Sequence, residues 1–227
     1  MQNKLKQKIT LIGSTGLIGS NLLHTITQDD CDTLTAITRR RIPNLGSKNF
    51  IKQSLHDFSD VEEMRADLNT DVLVITFGTT IKKAGSKAEF MRIDHDLPLG
   101  ISKIAKEQGC RTLILLSSVG ASSISNIFYN QTKGLLEESI EDIGFEKFYI
   151  LRPSLLLGKR EEIRLAEYTS KIILGYLSLF VPMKYRAIPA QIIAKNIIFL
   201  IRLHLSGKYV LEGKELFEIN KYFPLKQ

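Results

Sequence analysis

Residues 9–23 read ITLIGSTGLIGSNLL, and this stretch decides the fold of the chain. Its first four residues are mostly apolar and rich in β-branched side chains, which is typical of a strand buried on both faces of a parallel sheet. Gly13, Gly16 and Gly19 follow at three-residue spacing, and the apolar residues after them recur at helical intervals. The pattern predicts a strand, a tight glycine turn and a helix.

The glycine turn is a candidate site for the phosphates of a dinucleotide. Gly13 would let the backbone turn sharply, Gly16 would leave room for a pyrophosphate, and Gly19 would let the helix lie close to the strand. The free N–H groups of the first helical turn favour an anion there. An ordinary βα turn without a ligand is the alternative interpretation. The residues predicted to bind the cofactor here are Gly13, Ser14, Thr15, Gly16, Leu17, Ile18 and Gly19.

The rest of the chain alternates between strand-like and helix-like segments. Further strands are predicted at residues 34–38, 50–53, 72–77, 112–116, 148–151 and 208–211. Further helices are predicted at residues 60–66, 88–108, 126–143, 162–174 and 189–204, with a kink near residues 94–96 because of Pro98. Residues 81–87 are predicted to form a basic, flexible loop. The alternation predicts an α/β fold with a doubly wound parallel sheet of the Rossmann type.

Length and composition favour one soluble domain. The chain has 227 residues, enough for a single domain, and we expect residues 154–206 to add helices on the substrate side. Its two cysteines, Cys31 and Cys110, have no metal-ligand or disulfide spacing, which favours a reducing compartment. The N-terminus carries no apolar signal segment, and the longest apolar stretch, residues 172–182, is too short to span a membrane. We therefore expect a cytoplasmic protein with no membrane partner.

The net charge of +7 raises the question of nucleic-acid binding. The basic residues are spread along the chain, and the tight run Arg39-Arg40-Arg41 has no aromatic residues interleaved with it. Attraction of small anions explains the charge more economically, so we expect no nucleic-acid partner. The apolar residues 172–181 leave a homodimer or a protein partner open, although core packing or a pocket wall is the simpler interpretation.

The end of the second predicted strand indicates which dinucleotide binds. NAD-preferring proteins place a carboxylate there for the ribose hydroxyls, whereas here Thr38 is followed directly by arginines. Because guanidinium groups suit a 2′-phosphate, Arg39 and Arg40 predict NADP(H) rather than NAD(H). A solvated basic loop is the alternative.

Two further segments complete the predicted cofactor site. Asp57 and Phe58 follow the third strand and are expected to lie over the adenine, with a surface turn as the alternative. Phe77, Gly78 and Thr79 close the strongest strand signal, at the end where open α/β sheets bind ligands. Both segments therefore join the predicted cofactor set.

Tyr129 and Lys133 form a YxxxK pair, and four-residue spacing places both side chains on one helix face. A free phenol has a pKa of about 10, and lowering it to neutrality takes about 4 kcal/mol of preferential stabilisation of the phenolate. A lysine ammonium and an oxidised nicotinamide are cations that would supply it. Ser118, eleven positions before Tyr129 at a strand end, would hold the substrate oxygen near the phenol. A surface tyrosine and lysine without a catalytic role are the alternative.

Other candidate sites carry weaker signals. Tyr222 and Lys226 repeat the YxxxK spacing, but Pro224 between them would break the helix that aligns them. The four histidines, at positions 24, 56, 95 and 204, stand apart from one another, so no metal centre is predicted.

These residues resemble the short-chain dehydrogenase/reductase superfamily over nearly the whole chain. GSTGLIG resembles its cofactor turn, Ser118 with Tyr129 and Lys133 its catalytic set, and Arg152-Pro153 the segment that flanks the nicotinamide. The closer likeness is to an atypical subgroup, the HIV-Tat-interactive-protein-like oxidoreductases. It is carried by FGTTIKKAGS, FMRIDHDL, LLSSVGA, FYNQTKG and LRPSLLLG, at residues 77–86, 90–97, 115–121, 128–134 and 151–158. The chain departs from extended members of the superfamily in having no larger C-terminal substrate lobe.

The resemblance implies an NADPH-binding oxidoreductase with a small carbonyl substrate. It adds Arg152 and Pro153 to the cofactor set, and gives Tyr129 the role of acid, Lys133 that of its electrostatic partner and Ser118 that of the positioning group. The alternative function is a catalytically silent NADPH-binding protein that presents a surface to a partner. The intact serine, tyrosine and lysine favour the enzyme, because a sensor would not need them.

Overall fold

The computed structural model describes residues 6–43, 45, 48–158 and 182–223. Seven parallel strands form one sheet in the order β3-β2-β1-β4-β5-β6-β9. These strands are β1 Lys8–Ile12, β2 Thr33–Thr38, β3 Ile51–Leu55, β4 Val72–Ile75, β5 Thr112–Leu116, β6 Lys147–Arg152 and β9 Gly207–Glu212. A small second sheet pairs β7 Leu156–Leu157 with β8 Ile188–Pro189. The prediction of a Rossmann-type α/β domain with a parallel sheet is confirmed.

Helices cover both faces of the large sheet. They are α1 Leu17–Thr25, α2 Ile81–Ala84, α3 Lys87–Met91, α4 Leu97–Glu107, α5 Phe128–Glu141, α6 Ala190–Ile201, α7 Lys214–Phe217 and α8 Ile219–Tyr222. A π-helical turn, Arg92–Asp96, joins α3 to α4. No helix of the described residues has the length and apolar character that crossing a bilayer requires.

The two faces of the sheet pack against different helices. All four residues of β4 are buried, and they alternate between the layers: Val72 and Val74 pack with α1 and α6, whereas Leu73 and Ile75 pack with α4 and α5. Strands covered on both faces therefore read as continuous apolar runs.

The free thiols of Cys31 and Cys110 belong to the same two layers, and burial raises the pKa of each to about 12.

Several local predictions differ from the structure. Pro98 lies in the first turn of α4, where its missing N–H costs little, and the interruption expected near it is the π-helical turn. Residues 81–87, predicted as a flexible loop, contain α2, because Thr80 accepts a hydrogen bond from the Lys83 N–H and caps it. The helix predicted at 60–66 is one 3₁₀ turn, Glu62–Met64. The helix predicted at 162–174 and the apolar stretch 172–181 lie outside the described residues.

Candidate active site

A cavity of about 1140 Å³ opens at the carboxyl edge of the sheet. β1 and β4 are neighbours there, and their helices α1 and α4 cover opposite faces, so the cavity lies where the strand order reverses. Open α/β sheets bind ligands at this position. The predicted site residues that line the cavity are Gly13, Ser14, Thr15, Gly16, Leu17, Ile18, Arg39, Asp57, Phe58, Phe77, Gly78, Thr79, Ser118, Tyr129, Lys133 and Pro153.

The glycine turn is tight enough to exclude side chains at two positions. Gly13 has φ +94°, and a Cβ atom there would lie 2.5 Å from the Phe77 backbone nitrogen. A Cβ atom on Gly19 would lie 2.3 Å from the Gly13 carbonyl oxygen. Gly19 does not line the cavity, but it lets α1 lie directly against the turn.

Ser14 indicates that the turn is shaped for an anion. Its hydroxyl is buried and has no hydrogen-bond partner among the residues that the structure describes. The first turn of α1 carries no acidic side chain, and Gly16 at its N-cap offers no side-chain oxygen to the helix N–H groups. The Ser14 hydroxyl and the free N–H groups at the start of α1 are hydrogen-bond donors, and together they fit the phosphates of a dinucleotide.

The part of the cavity predicted to hold the adenosine is lined by Arg39, Asp57 and Phe58. Phe58 has φ +69° and is the one non-glycine residue in the described ranges with a positive φ; such strain is often found at ligand sites. Hydrogen bonds from the Ser59 hydroxyl and backbone N–H hold the pKa of the Asp57 carboxyl below its usual range. Asp57 is therefore an acceptor suited to an exocyclic amine.

The three residues of the predicted catalytic set, Ser118, Tyr129 and Lys133, all line this cavity. The Tyr129 ring packs on the fully buried Phe90 ring, with 5.6 Å between the ring centroids. Ser118 Oγ has one long hydrogen bond, 3.5 Å to the Val119 carbonyl, so its hydroxyl remains available to a ligand. The neighbouring Ser117 hydroxyl instead donates to the Glu137 carboxylate.

Gly134 lets the loop between β5 and α5 lie directly against α5. The loop between β5 and α5 passes so close to it that a Cβ atom would lie 2.2 Å from Ser122 C and Ser123 N. The loop that contains Ser118 therefore packs directly on the helix that carries Tyr129 and Lys133.

Sequence reasoning missed Asp94, which lies on the π-helical turn and lines the cavity. Its Oδ1 is 2.7 Å from Lys133 Nζ, and its Oδ2 accepts a hydrogen bond of 2.7 Å from the Thr79 N–H. A Cβ atom on Gly78 would lie 2.9 Å from the same Oδ1, so a glycine is needed beside the carboxylate. In the sequence, Asp94 was marked only by its place in FMRIDHDL, a stretch that carries the resemblance, and by the kink predicted near residues 94–96.

The Asp94 carboxylate decides the charge of Lys133. The Lys133 side chain is 6% exposed and that of Asp94 is fully buried. Burial alone would lower the pKa of the lysine, but attraction to Asp94 and then to Tyr129 outweighs it, and the pKa is raised. Lys133 therefore remains an ammonium, paired with Asp94.

Two predicted cofactor residues besides Gly19 do not line the cavity, contrary to expectation: Arg40 and Arg152. Arg152 Nε donates to the Glu137 carboxylate over 3.0 Å, and Nη2 donates to the other oxygen. Glu137 is buried and needs a cation, so the guanidinium is used within the protein. Arg40 is exposed, and its carbonyl oxygen accepts hydrogen bonds from neighbouring side chains.

The expected substrate-side region divides into two parts. Residues 154–158, which form no helix, line the cavity, whereas none of the described residues in 182–206 does. α6 packs against α1 instead, because both helices bury their apolar faces on the same side of the sheet. No cluster of three metal-binding side chains is found in the described residues.

Comparisons with known proteins agree with this fold. A model of the NAD dependent epimerase/dehydratase family matches residues 9–174. The chain is 40% identical over 154 residues to "Protein FMP52, mitochondrial" of Meyerozyma guilliermondii, an alignment that covers 66% of each protein.

Solved structures resemble the chain at lower identity. The Bordetella bronchiseptica enzyme WbmG in complex with NAD has a TM-score of 0.68 at 12% identity, over 98% of this chain and 80% of that one. The dTDP-4-dehydrorhamnose reductase of Bacillus anthracis in complex with NADP has a TM-score of 0.64 at 12% identity, over 99% and 84%. Structural neighbours therefore bind either dinucleotide.

The expectation of a cytoplasmic protein is contradicted. FMP52 of Meyerozyma guilliermondii and further relatives of that name are called mitochondrial. Unpaired cysteines and spread positive charge do not distinguish the two compartments, so the composition could not make this choice. Because a model of the NAD dependent epimerase/dehydratase family matches residues 9–174, which is more than half of the chain, the chain belongs to that family.

Proposed function

We propose that this chain is an NADP(H)-dependent oxidoreductase that reduces a small carbonyl compound to its alcohol. The observation that carries the proposal is that one cavity is lined both by the glycine turn and by Ser118, Tyr129 and Lys133. A dinucleotide held at the turn and a substrate held by the two hydroxyl groups would share one space. The orphaned Ser14 hydroxyl supports the nucleotide part of this proposal.

Each side chain of the set has its own role. Tyr129 donates its phenolic proton to the carbonyl oxygen and recovers a proton from solvent. Ser118 donates a hydrogen bond to the same oxygen and holds it near the phenol. Lys133 stabilises the phenolate that the proton transfer leaves behind. When bound, the reduced nicotinamide supplies the hydride for the carbonyl carbon.

Asp94 acts through Lys133 and is a positioning residue. Its two carboxylate oxygens bond the Lys133 ammonium on α5 and the Thr79 N–H beyond β4, so it ties the helix to the carboxyl edge of the sheet. An ammonium held in this way presents its remaining N–H groups to the cavity that it lines. The pairing also preserves the positive charge that burial would otherwise remove.

The basic run after β2 supports NADP(H) as the preferred cofactor. Arg39, Arg40 and Arg41 are exposed, and none of them has a salt-bridge partner in the parts of the chain that the structure describes. No carboxylate at the end of β2 competes for the ribose.

The motif resemblance further favours the HIV-Tat-interactive-protein-like subgroup, and the names of the FMP52 relatives favour a mitochondrial location.

NADPH oxidation across a panel of small aldehydes and ketones tests the proposal. We expect turnover with at least one carbonyl, and a kcat/KM for NADPH about tenfold or more above that for NADH, since a guanidinium–phosphate pair is a strong charge-assisted contact. NADPH binding without turnover on every compound would contradict the reductase and favour the cofactor-dependent binding protein. Absence of NADPH binding would contradict both functions.

A further inference from the structure

Gln53, on β3, fixes the shape of the basic loop that follows β2. Its Nε2 donates to Thr38 Oγ1 over 2.6 Å and to the Arg40 carbonyl over 2.8 Å. Its Oε1 accepts from the Ile42 N–H over 3.2 Å. Thr38 Oγ1 in turn donates to the same Arg40 carbonyl over 2.9 Å. One carboxamide therefore holds the loop at three alternate residues, Thr38, Arg40 and Ile42.

Arg39 lies between two of these held residues and is the arginine of the run that lines the cavity. A free arginine side chain loses about 2 kcal/mol of rotamer entropy when it is immobilised, and a mobile backbone would add to that cost. Because the backbone on both sides of Arg39 is held, its side chain extends from a defined point at the edge of the cavity, and only the side chain has to be ordered when an anion binds. This arrangement favours selective recognition of an anion.

The glutamine amide also matches its partners chemically. Its NH₂ group meets two oxygens, and its carbonyl meets an N–H, so each end faces a group of opposite polarity. A glutamate would keep the size but place a carboxylate against the Arg40 carbonyl. It would also add a negative charge beside the three arginines.

We propose that Gln53 is a positioning residue that makes the cavity prefer a 2′-phosphorylated ribose. It acts through the loop and Arg39, without touching the cofactor itself. The inference rests on the proposed use of NADP(H). Its effect is confined to the discrimination between the two dinucleotides, which differ only in the 2′-phosphate.

Calorimetric titration with NADP⁺ and NAD⁺, without any substrate, tests the inference. For the wild type we expect NADP⁺ to bind about tenfold or more tightly than NAD⁺. Gln53→Met, which keeps the side-chain length but has neither polar group, should reduce this ratio to about threefold or less, while NAD⁺ affinity changes by less than about twofold. Gln53→Glu should equalise the two affinities or favour NAD⁺, because the added charge repels the phosphate.

Gln108→Met is the matched control, because Gln108 lies between α4 and β5 and does not line the cavity. This control variant should keep the wild-type ratio of NADP⁺ affinity to NAD⁺ affinity. Thermal unfolding of each variant checks that it is folded, and loss of stability alone would weaken both ligands equally rather than change their ratio. A wild-type ratio in both Gln53 variants would overturn the inference while leaving the NADP(H) proposal intact. Equal affinities of the wild type for NADP⁺ and NAD⁺ would overturn both the role of Gln53 and the proposed preference for NADP(H).

Discussion

The Tyr129→Phe variant should lose turnover by about 10²- to 10⁴-fold and still bind NADPH within about twofold of the wild-type affinity, because it removes a proton donor and little else. The benzene ring remains and keeps its packing on Phe90. Phenylalanine leaves Lys133 paired with Asp94, so no buried charge is left alone. Steady-state kinetics and a fluorescence titration of NADPH measure the two quantities separately.

Tyr222→Phe is the control for this variant. Tyr222 also has a lysine four positions further along the chain, but it is 45% exposed on α8, and it does not line the cavity. Its replacement should leave kcat and KM unchanged. Undiminished turnover in Tyr129→Phe would show that the phenol is not the proton donor, whether or not NADPH affinity changes.

Replacing Gly13 by alanine should both destabilise the fold and weaken NADPH binding. An L-residue at φ +94° costs about 1–2 kcal/mol, and the clash of the new Cβ with the Phe77 backbone adds about 1–3 kcal/mol. For a domain of this size a loss of 1 kcal/mol lowers Tm by about 2–4 °C, so we expect a decrease of about 5–15 °C. A backbone shift at the turn should weaken NADPH by about tenfold or more.

Gly109→Ala separates the cost of the positive φ angle from the cost of the steric clash. Gly109 has φ +91°, almost the same as Gly13, but a Cβ atom there would meet nothing within 4 Å. This variant should show the backbone cost alone, a decrease of about 2–8 °C in Tm, with NADPH affinity unchanged. Equal losses of stability in both variants, with NADPH affinity retained in Gly13→Ala, would show that the turn tolerates a side chain and is not the phosphate site.

The sheet could be predicted because each central strand carries its own signal. β4 reads VLVI, and all four residues are buried because helices cover both faces. Strand ends were placed less well: β3 ends at Leu55, two residues after the predicted end, since pairing with β2 extends it. β7 and β8 were missed, because two-residue strands have no periodicity that a sequence could reveal.

Residues of the candidate cavity could be named from the sequence where one element carries the signal, and contacts between two distant elements could not. Sequence reasoning selected Ser118, and the structure gives a reason against its neighbour Ser117, whose hydroxyl donates to the Glu137 carboxylate. The same Glu137 pairs with Arg152, which sequence reasoning assigned to the cofactor. Asp94 could not be paired with Lys133 in advance, because the pairing depends on how the π-helical turn directs a carboxylate toward α5.

A crystal structure of the chain with NADP⁺ tests the central claim most directly. The account predicts the pyrophosphate on the turn at Gly13 to Gly16, within hydrogen-bond distance of the Ser14 hydroxyl, and the nicotinamide ribose within reach of Lys133 and Tyr129. It also predicts the 2′-phosphate beside Arg39. Density for the dinucleotide elsewhere, or a nicotinamide end that leaves this cavity without approaching Tyr129, would contradict the account.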